Sequence, residues 1–120
     1  MGRKPSEHLE PERFYHGFVL GLIVDLADKY KITSNKESGL GRYDVMMEPL
    51  VENLDGIIME FKVHNPAKEK NLEQTAENAL RQIREKKYDT ELEMAGISSD
   101  RIRHYGFAFE GKKVLIGSDS

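Results

Sequence analysis

Cysteine is absent from this 120-residue chain, which removes disulfides and thiolate metal centres from consideration. The absence also fits a reducing compartment, so the expected localisation is cytoplasmic. Long apolar runs are missing too. The longest, Gly17 to Val24, stops at Asp25, far short of the roughly 20 residues that a membrane-spanning helix needs. The opening Met1-Gly2-Arg3-Lys4-Pro5 leads into polar sequence and not into an apolar signal core, so secretion is not expected. No Gly-X-X-X-X-Gly-Lys-Ser/Thr loop occurs, and ATP hydrolysis by these residues is therefore not expected. Neither a Ser/His/Asp nor a Cys-based nucleophile arrangement is legible. There is no internal repeat.

What remains is ordinary globular material. Hydrophobic residues make up 38% and charged residues 32%, enough apolar side chains for one core and too short a chain for two. The net charge of −3 argues against a simple cationic nucleic-acid binder, but it is unevenly spread. Residues 62–87 carry 7 basic and 4 acidic side chains, a local balance of +3, within an otherwise acidic chain. Such a segment would offer one phosphate-facing surface, or equally a solvated helix face.

The periodicity predicts a single run of elements. Residues 1–10 read as a flexible leader and 11–120 as one domain. From Pro11 to about Tyr30, Phe14, Phe18, Leu22 and Leu26 recur every four residues, with Tyr15, Val19, Ile23 and Ala27 widening the stripe: an amphipathic helix. Lys31 to Ser34 reads as a short strand, followed by turn-rich sequence from Asn35 to Gly41. Arg42 to Glu48 alternates as a strand does, and Asn53 to Gly56 reads as a turn. Gly56 to Val63 is apolar enough for a strand buried on both faces. After a polar loop from Asn65 to Asn71, Leu72, Ala76, Ala79, Leu80 and Ile83 mark a second helix ending near Tyr88. Glu91 to Met94 adds a short helix, and Glu110-Gly111-Lys112 turns between two late strands. The expected fold class is α/β, a small mixed sandwich of helix, three strands, helix and one or two strands.

The chemistry concentrates on two neighbouring strands. Alternation puts Ile58, Glu60 and Lys62 on one face of the second, so two charged residues lie within an apolar strand, where unpaired charge costs several kcal/mol. Asp44 on the preceding strand would come within metal-bridging reach of Glu60 if the two pair antiparallel. Two converging carboxylates suit Mg²⁺ or Mn²⁺, which favour oxygen ligands and keep several waters. Such an ion polarises a phosphoryl oxygen and activates water, and a neighbouring lysine offsets developing charge, which together is phosphodiester hydrolysis. The competing reading is a structural ion pair of Glu60 and Lys62 at a strand end.

Asp44, then Glu60-Phe61-Lys62, on consecutive strands between two helices, resembles the PD-(D/E)XK nuclease superfamily, with its restriction-endonuclease-like αβββαβ core and mixed central sheet flanked by helices. Gly41-Arg42-Tyr43-Asp44, Glu60-Phe61-Lys62 and Gln82 with Tyr88 downstream resemble its helicase-linked exonuclease branch. Glu37 to Asp44 and Tyr105 to Phe109 are similar to the nuclease-like domain that follows AAA-ATPase-like domains in bacterial proteins. The family proline is missing, since Tyr43 precedes Asp44, and the Gln82 to Tyr88 spacing is longer than that branch's usual motif. The resemblance implies a Mg²⁺- or Mn²⁺-dependent nuclease with DNA as the expected substrate. Asp44 and Glu60 would be metal ligands and Lys62 the catalytic lysine. It further implies His16 on the first helix as a third ligand and Gln82 as a catalytic and nucleic-acid-binding residue. Arg42, beside the site, suits a phosphate contact and equally an ordinary surface role. His16 has the plainer alternative of an ordinary helix surface, and Gln82 that of a neutral helix residue. Beyond nucleic acid, the implied partners are an AAA-ATPase-like domain or subunit, and a homodimer stays open. A catalytically silent nuclease-like fold, serving as a nucleic-acid or protein binding module, is the alternative function.

Overall fold

The computed structural model describes residues 9–37, 42–86 and 88–119, with side chains for 13–35, 43–86 and 88–119. Helix α1 (Leu9–Leu26) is followed by strands β1 (Tyr30–Glu37), β2 (Arg42–Pro49) and β3 (Gly56–Val63). Helices α2 (Leu72–Lys86) and α3 (Tyr88–Met94) come next, then β4 (Ile102–Glu110) and β5 (Lys113–Ser118) after one 3-10 turn. The five strands form one sheet in sequential order β1-β2-β3-β4-β5. Only β3 and β4 run parallel; they flank the α2–α3 crossover, as a parallel pair requires. The expected α/β architecture with a mixed sheet is therefore present. Of the expected leader, residues 1–8 lie outside the described residues, and Leu9 and Glu10 are helical.

Several boundaries differ from the sequence expectation, most of all around β1; the short helix expected from Glu91 also starts earlier, at Tyr88. The first helix ends at Leu26, and Tyr30 already belongs to β1, paired with Pro49. β1 also runs through Asn35, Lys36 and Glu37, where turn residues suggested a loop. Pairing with the whole of β2 overrides their weak strand preference, and Asn35 stands opposite Asp44.

The sheet has two apolar faces. On one, Tyr15 and Val19 of α1 pack over Tyr43, Val45, Met47, Met59, Phe61, Phe107 and Phe109. Phe61 stacks on Phe107 with ring centroids 4.5 Å apart and planes 6° apart. On the other, Leu80 and Ile83 of α2 and Leu92 of α3 cover Ile58 and Ile102. β3 is buried on both sides except at its C-terminal end, as its composition predicted. The Asn71 side chain caps α2 by accepting from the Gln74 N–H at 2.9 Å, and Gln74 returns a bond from the Lys70 N–H at 2.7 Å.

Two glycines shape the frame. Gly111, with φ of 60°, supplies the left-handed residue of the β4–β5 hairpin. At Gly106 on β4, a Cβ would stand 2.6 Å from the Ala76 carbonyl oxygen and 3.0 Å from the Ala79 Cβ, so α2 lies on β4 closer than any side chain permits. Across the far end of that interface, His104 on β4 is held at both ring nitrogens. Asp89 of α3 lies at 2.7 Å and Asp119 at 2.9 Å, and Asp119 also accepts from Arg84 at 2.6 Å. No helix among the described residues is long and apolar enough to cross a membrane.

Candidate active site

β2 and β3 pair antiparallel in a register that sets Asp44 directly opposite Glu60 and Arg42 opposite Lys62. Side chains so placed share a face, with Cβ atoms about 5 Å apart. The face is the one under α2 and α3, since the alternate residues Tyr43, Val45, Met59 and Phe61 point into the α1 core. Asp44 is 3% exposed and Glu60 is fully buried.

Three elements converge on the pair. From β1, Asn35 Nδ2 donates to Asp44 Oδ1 at 3.0 Å. From α3, the Tyr88 hydroxyl donates to Asp44 Oδ2 at 2.6 Å. From the end of α2, Lys86 Nζ lies 3.4 Å from Asp44 Oδ2 and 3.7 Å from Glu60 Oε1, bridging the two carboxylates. The same ammonium stands 5.7 Å from the centre of the Tyr88 ring. From beneath, the Tyr15 hydroxyl of α1 lies 3.3 Å from the backbone carbonyls of both Asn35 and Asp44. Burial pushes its pKa up, which keeps it a donor to the backbone that carries the acid.

Lys62 faces a different partner. Its Nζ donates to Glu69 Oε2 at 2.7 Å, so the pairing of Glu60 with Lys62 weighed from sequence is not what forms. Glu69 sits in the loop that read as merely polar, and it is 5% exposed. Its Oε2 also accepts from Asn78 Nδ2 at 2.6 Å. Its Oε1 accepts from the Asn65 N–H at 2.7 Å and the Thr75 hydroxyl at 2.8 Å. Those four donors fill the four lone-pair positions of one carboxylate. Burial raises the Glu69 pKa, but the bonds from Lys62, Asn65, Asn78 and Thr75 outweigh it and bring it to about 2. His64 completes the cluster, with Nδ1 2.6 Å from the Thr75 hydroxyl oxygen.

Gln82 is half-buried on α2. It lies one turn beyond Asn78 and one turn before Lys86 on the same helix face, and those two meet Glu69 and the carboxylate pair respectively. The Arg42 backbone pairs beside the site; its side chain lies outside those described, as do residues 38–41 of the expected Gly-X-X-Asp stretch. His16 is not brought to the pair. It is exposed on α1, over the opposite face of the sheet, in a shallow hollow shared with Tyr15, Val19, Leu20 and Ser34.

The basic segment is also less open than its composition suggested. Among the described residues, Lys62, Arg84 and Lys86 are each engaged by carboxylates, and Lys68, Lys70 and Arg81 are exposed. Sequence reasoning missed Lys86, Glu69 and Asn35 and gave Tyr88 little weight. The i, i+4 row from Asn78 through Gln82 was the one signal that pointed to Lys86.

Among the described residues no group of three or more His, Cys, Asp and Glu side chains gathers to hold a metal. Asp44 and Glu60 alone offer oxygen donors with no softer atom beside them. That set fits a hard cation such as Mg²⁺, which binds through one or two carboxylates and keeps waters in its other positions.

A comparison with curated proteins finds no match. A comparison with protein families matches residues 10–119 to the PD-(D/E)XK nuclease superfamily. Its members are usually nucleases that use divalent metals such as Mg²⁺. With Asp44 facing Glu60, Lys62 two residues on, and a mixed sheet between helices, the chain belongs to the PD-(D/E)XK nuclease superfamily.

Proposed function

We propose that this chain hydrolyses phosphodiester bonds of DNA in a reaction that depends on Mg²⁺ or Mn²⁺. The observation that carries the reading is the register of β2 on β3, which sets two buried carboxylates face to face with Lys62 on the same side. Asp44 and Glu60 would hold the cation, which when bound supplies positive charge at a phosphoryl oxygen and makes water more acidic. Asn35 and Tyr88 fix the Asp44 carboxylate, one bond to each oxygen. Lys62 offsets charge developing on the phosphate, and Glu69 sets the direction of its ammonium. Gln82, with donor and acceptor groups, suits a phosphate or a base edge. Lys68, Lys70 and Arg81, together with Arg42, are the cations available to the strand's other phosphates. His16 stays at the surface of α1 in this reading and is not a ligand.

The test is cleavage of linear and circular DNA, single- and double-stranded, by wild type and Glu60→Gln, with Mg²⁺, Mn²⁺ or EDTA. Metal-dependent cutting that disappears in the variant is the expected result, and the circular substrates decide between internal and end-directed cutting. A folded wild type that neither binds Mn²⁺ nor cuts would point instead to the silent binding module.

A further inference from the structure

The Lys86 ammonium lies within ion-pair distance of both carboxylates that the proposed function assigns to the metal, 3.4 Å from Asp44 and 3.7 Å from Glu60. Both contacts are longer than that of Lys62 with Glu69, at 2.7 Å. Counting lone pairs sharpens the contrast. Each carboxylate oxygen accepts about two bonds. Among the described residues, Asp44 Oδ2 takes one from Tyr88 at 2.6 Å and one from Lys86 at 3.4 Å. The short phenol bond comes from α3 at a fixed backbone position, whereas the ammonium rides on four methylenes at the last residue of α2. A divalent cation held by Asp44 and Glu60 would compete with this ammonium for the same carboxylates, and two cations so close repel strongly.

We propose that Lys86 is a displaceable internal counter-ion of the carboxylate pair, a positioning residue that competes with the divalent cation and swings out when it binds. This inference rests on the proposed function, because it takes Asp44 and Glu60 as the cation's ligands. It assigns the two lysines different duties. Lys62 is locked by Glu69, while Lys86 holds the buried acids together and then yields. Once released, it stays tethered to the end of α2, beside Gln82 and on the side from which a phosphate would approach. The Lys86 side chain already reaches solvent in part: it is 21% exposed, against 0% for that of Glu60.

Three measurements test it. Calorimetric titration with Mn²⁺ alone compares wild type, Lys86→Met, Lys86→Gln and Glu60→Gln, each checked for folding by circular dichroism. Removing the competing ammonium is expected to tighten Mn²⁺ binding by about tenfold or more, and Glu60→Gln to abolish it. In the second measurement the wild type is acylated with acetic anhydride, with and without Mg²⁺, and the rate at Lys86 is read by mass spectrometry. Acylation at Lys86 is expected to quicken several-fold with the metal, while Lys62 does not change. A lysine that stayed in place beside the metal would also acylate faster, because a nearby cation favours its neutral, nucleophilic form. Crystal structures with and without Mn²⁺ are therefore compared as well. An Nζ that has left both carboxylates separates displacement from proximity, and this reading does not depend on any variant folding. Unchanged affinity in both Lys86 variants, unchanged acylation on metal binding, or an Nζ still on the carboxylates with Mn²⁺ bound would overturn the inference and leave the nuclease reading standing. Absence of any Glu60-dependent Mn²⁺ binding in wild type would overturn the metal reading, and the inference with it.

Discussion

Replacing Glu69 by glutamine is expected to weaken the fold by an amount that depends on pH in a calculable way. The carboxyl titrates at about 2 in the folded chain, against an ordinary value of 4.5. A carboxylate held low stabilises the fold fully above the unfolded value, and that contribution drains away as pH falls toward the folded one. The difference corresponds to about 3 kcal/mol at pH 7 and about 1 kcal/mol at pH 3. The group is nearly buried, so solvent screening removes little of it. Glutamine keeps the shape and cannot titrate, although its amide NH₂ meets Lys62 and Asn78 as a donor facing donors. That mismatch adds a constant offset, so the informative quantity is the pH-dependent part of the gap. Urea unfolding of wild type and Glu69→Gln at pH 7, 5, 4 and 3 measures it. The gap should hold from pH 7 to about 5.5 and then narrow by about 2 kcal/mol by pH 3. A gap of constant size across that range would refute the account of Glu69 as a carboxylate saturated by four donors.

Other perturbations give simpler outcomes. Phe61→Ala removes a ring packed against Phe107, Phe109 and Tyr15 in a nearly inaccessible position, and should cost about 3–5 kcal/mol in chemical denaturation. Tyr88→Phe deletes one bond to a carboxylate at an otherwise preserved ring. It should cost about 1–2 kcal/mol of stability and lower cleavage more than binding of DNA, read as a fall in kcat at little change in KM. His16→Ala should leave Mn²⁺ affinity unchanged in calorimetry, because the imidazole lies over the opposite face of the sheet.

The parts of the site that were legible in the sequence share one property: their placement follows from local alternation. Glu60 and Lys62 share a face because a strand has a period of two, and one intervening turn brings Asp44 across from them. Phe61 on the opposite face was predictable for the same reason. Tyr88 and Glu69 follow from no local rule, and the i, i+4 row through Gln82 puts Lys86 on a helix face without saying what it meets. Lys86 and Tyr88 reach Asp44 over more than 40 residues of sequence because α2 crosses the sheet at one angle and not another. Glu69 looked like loop polarity because nothing in Asn65 to Asn71 foretold that Thr75, Asn78 and Lys62 would turn inward upon it. The basic balance of residues 62–87 misled for a similar reason, since Asp119 and Asp44, which engage it, come from outside that stretch. His16 lies on the first helix, as the resemblance implied, but it is exposed over the sheet face opposite the two carboxylates.

The contact of Gly106 with α2 has a consequence for how the proposed activity could be switched off by design. The carboxylates belong to the sheet, whereas Lys86, Gln82 and Tyr88 arrive with or just after the helix, and the helix stands at a height set by a single hydrogen atom where every other residue would carry a carbon. One methyl group at that position would lift the helix by some tenths of an ångström or tilt it. The acids would keep their register, and the groups that meet them from above would do so at longer and less well aligned contacts. An engineer wanting an inert scaffold with its acidic pair intact would therefore alter a spacer and leave the chemistry's own residues in place.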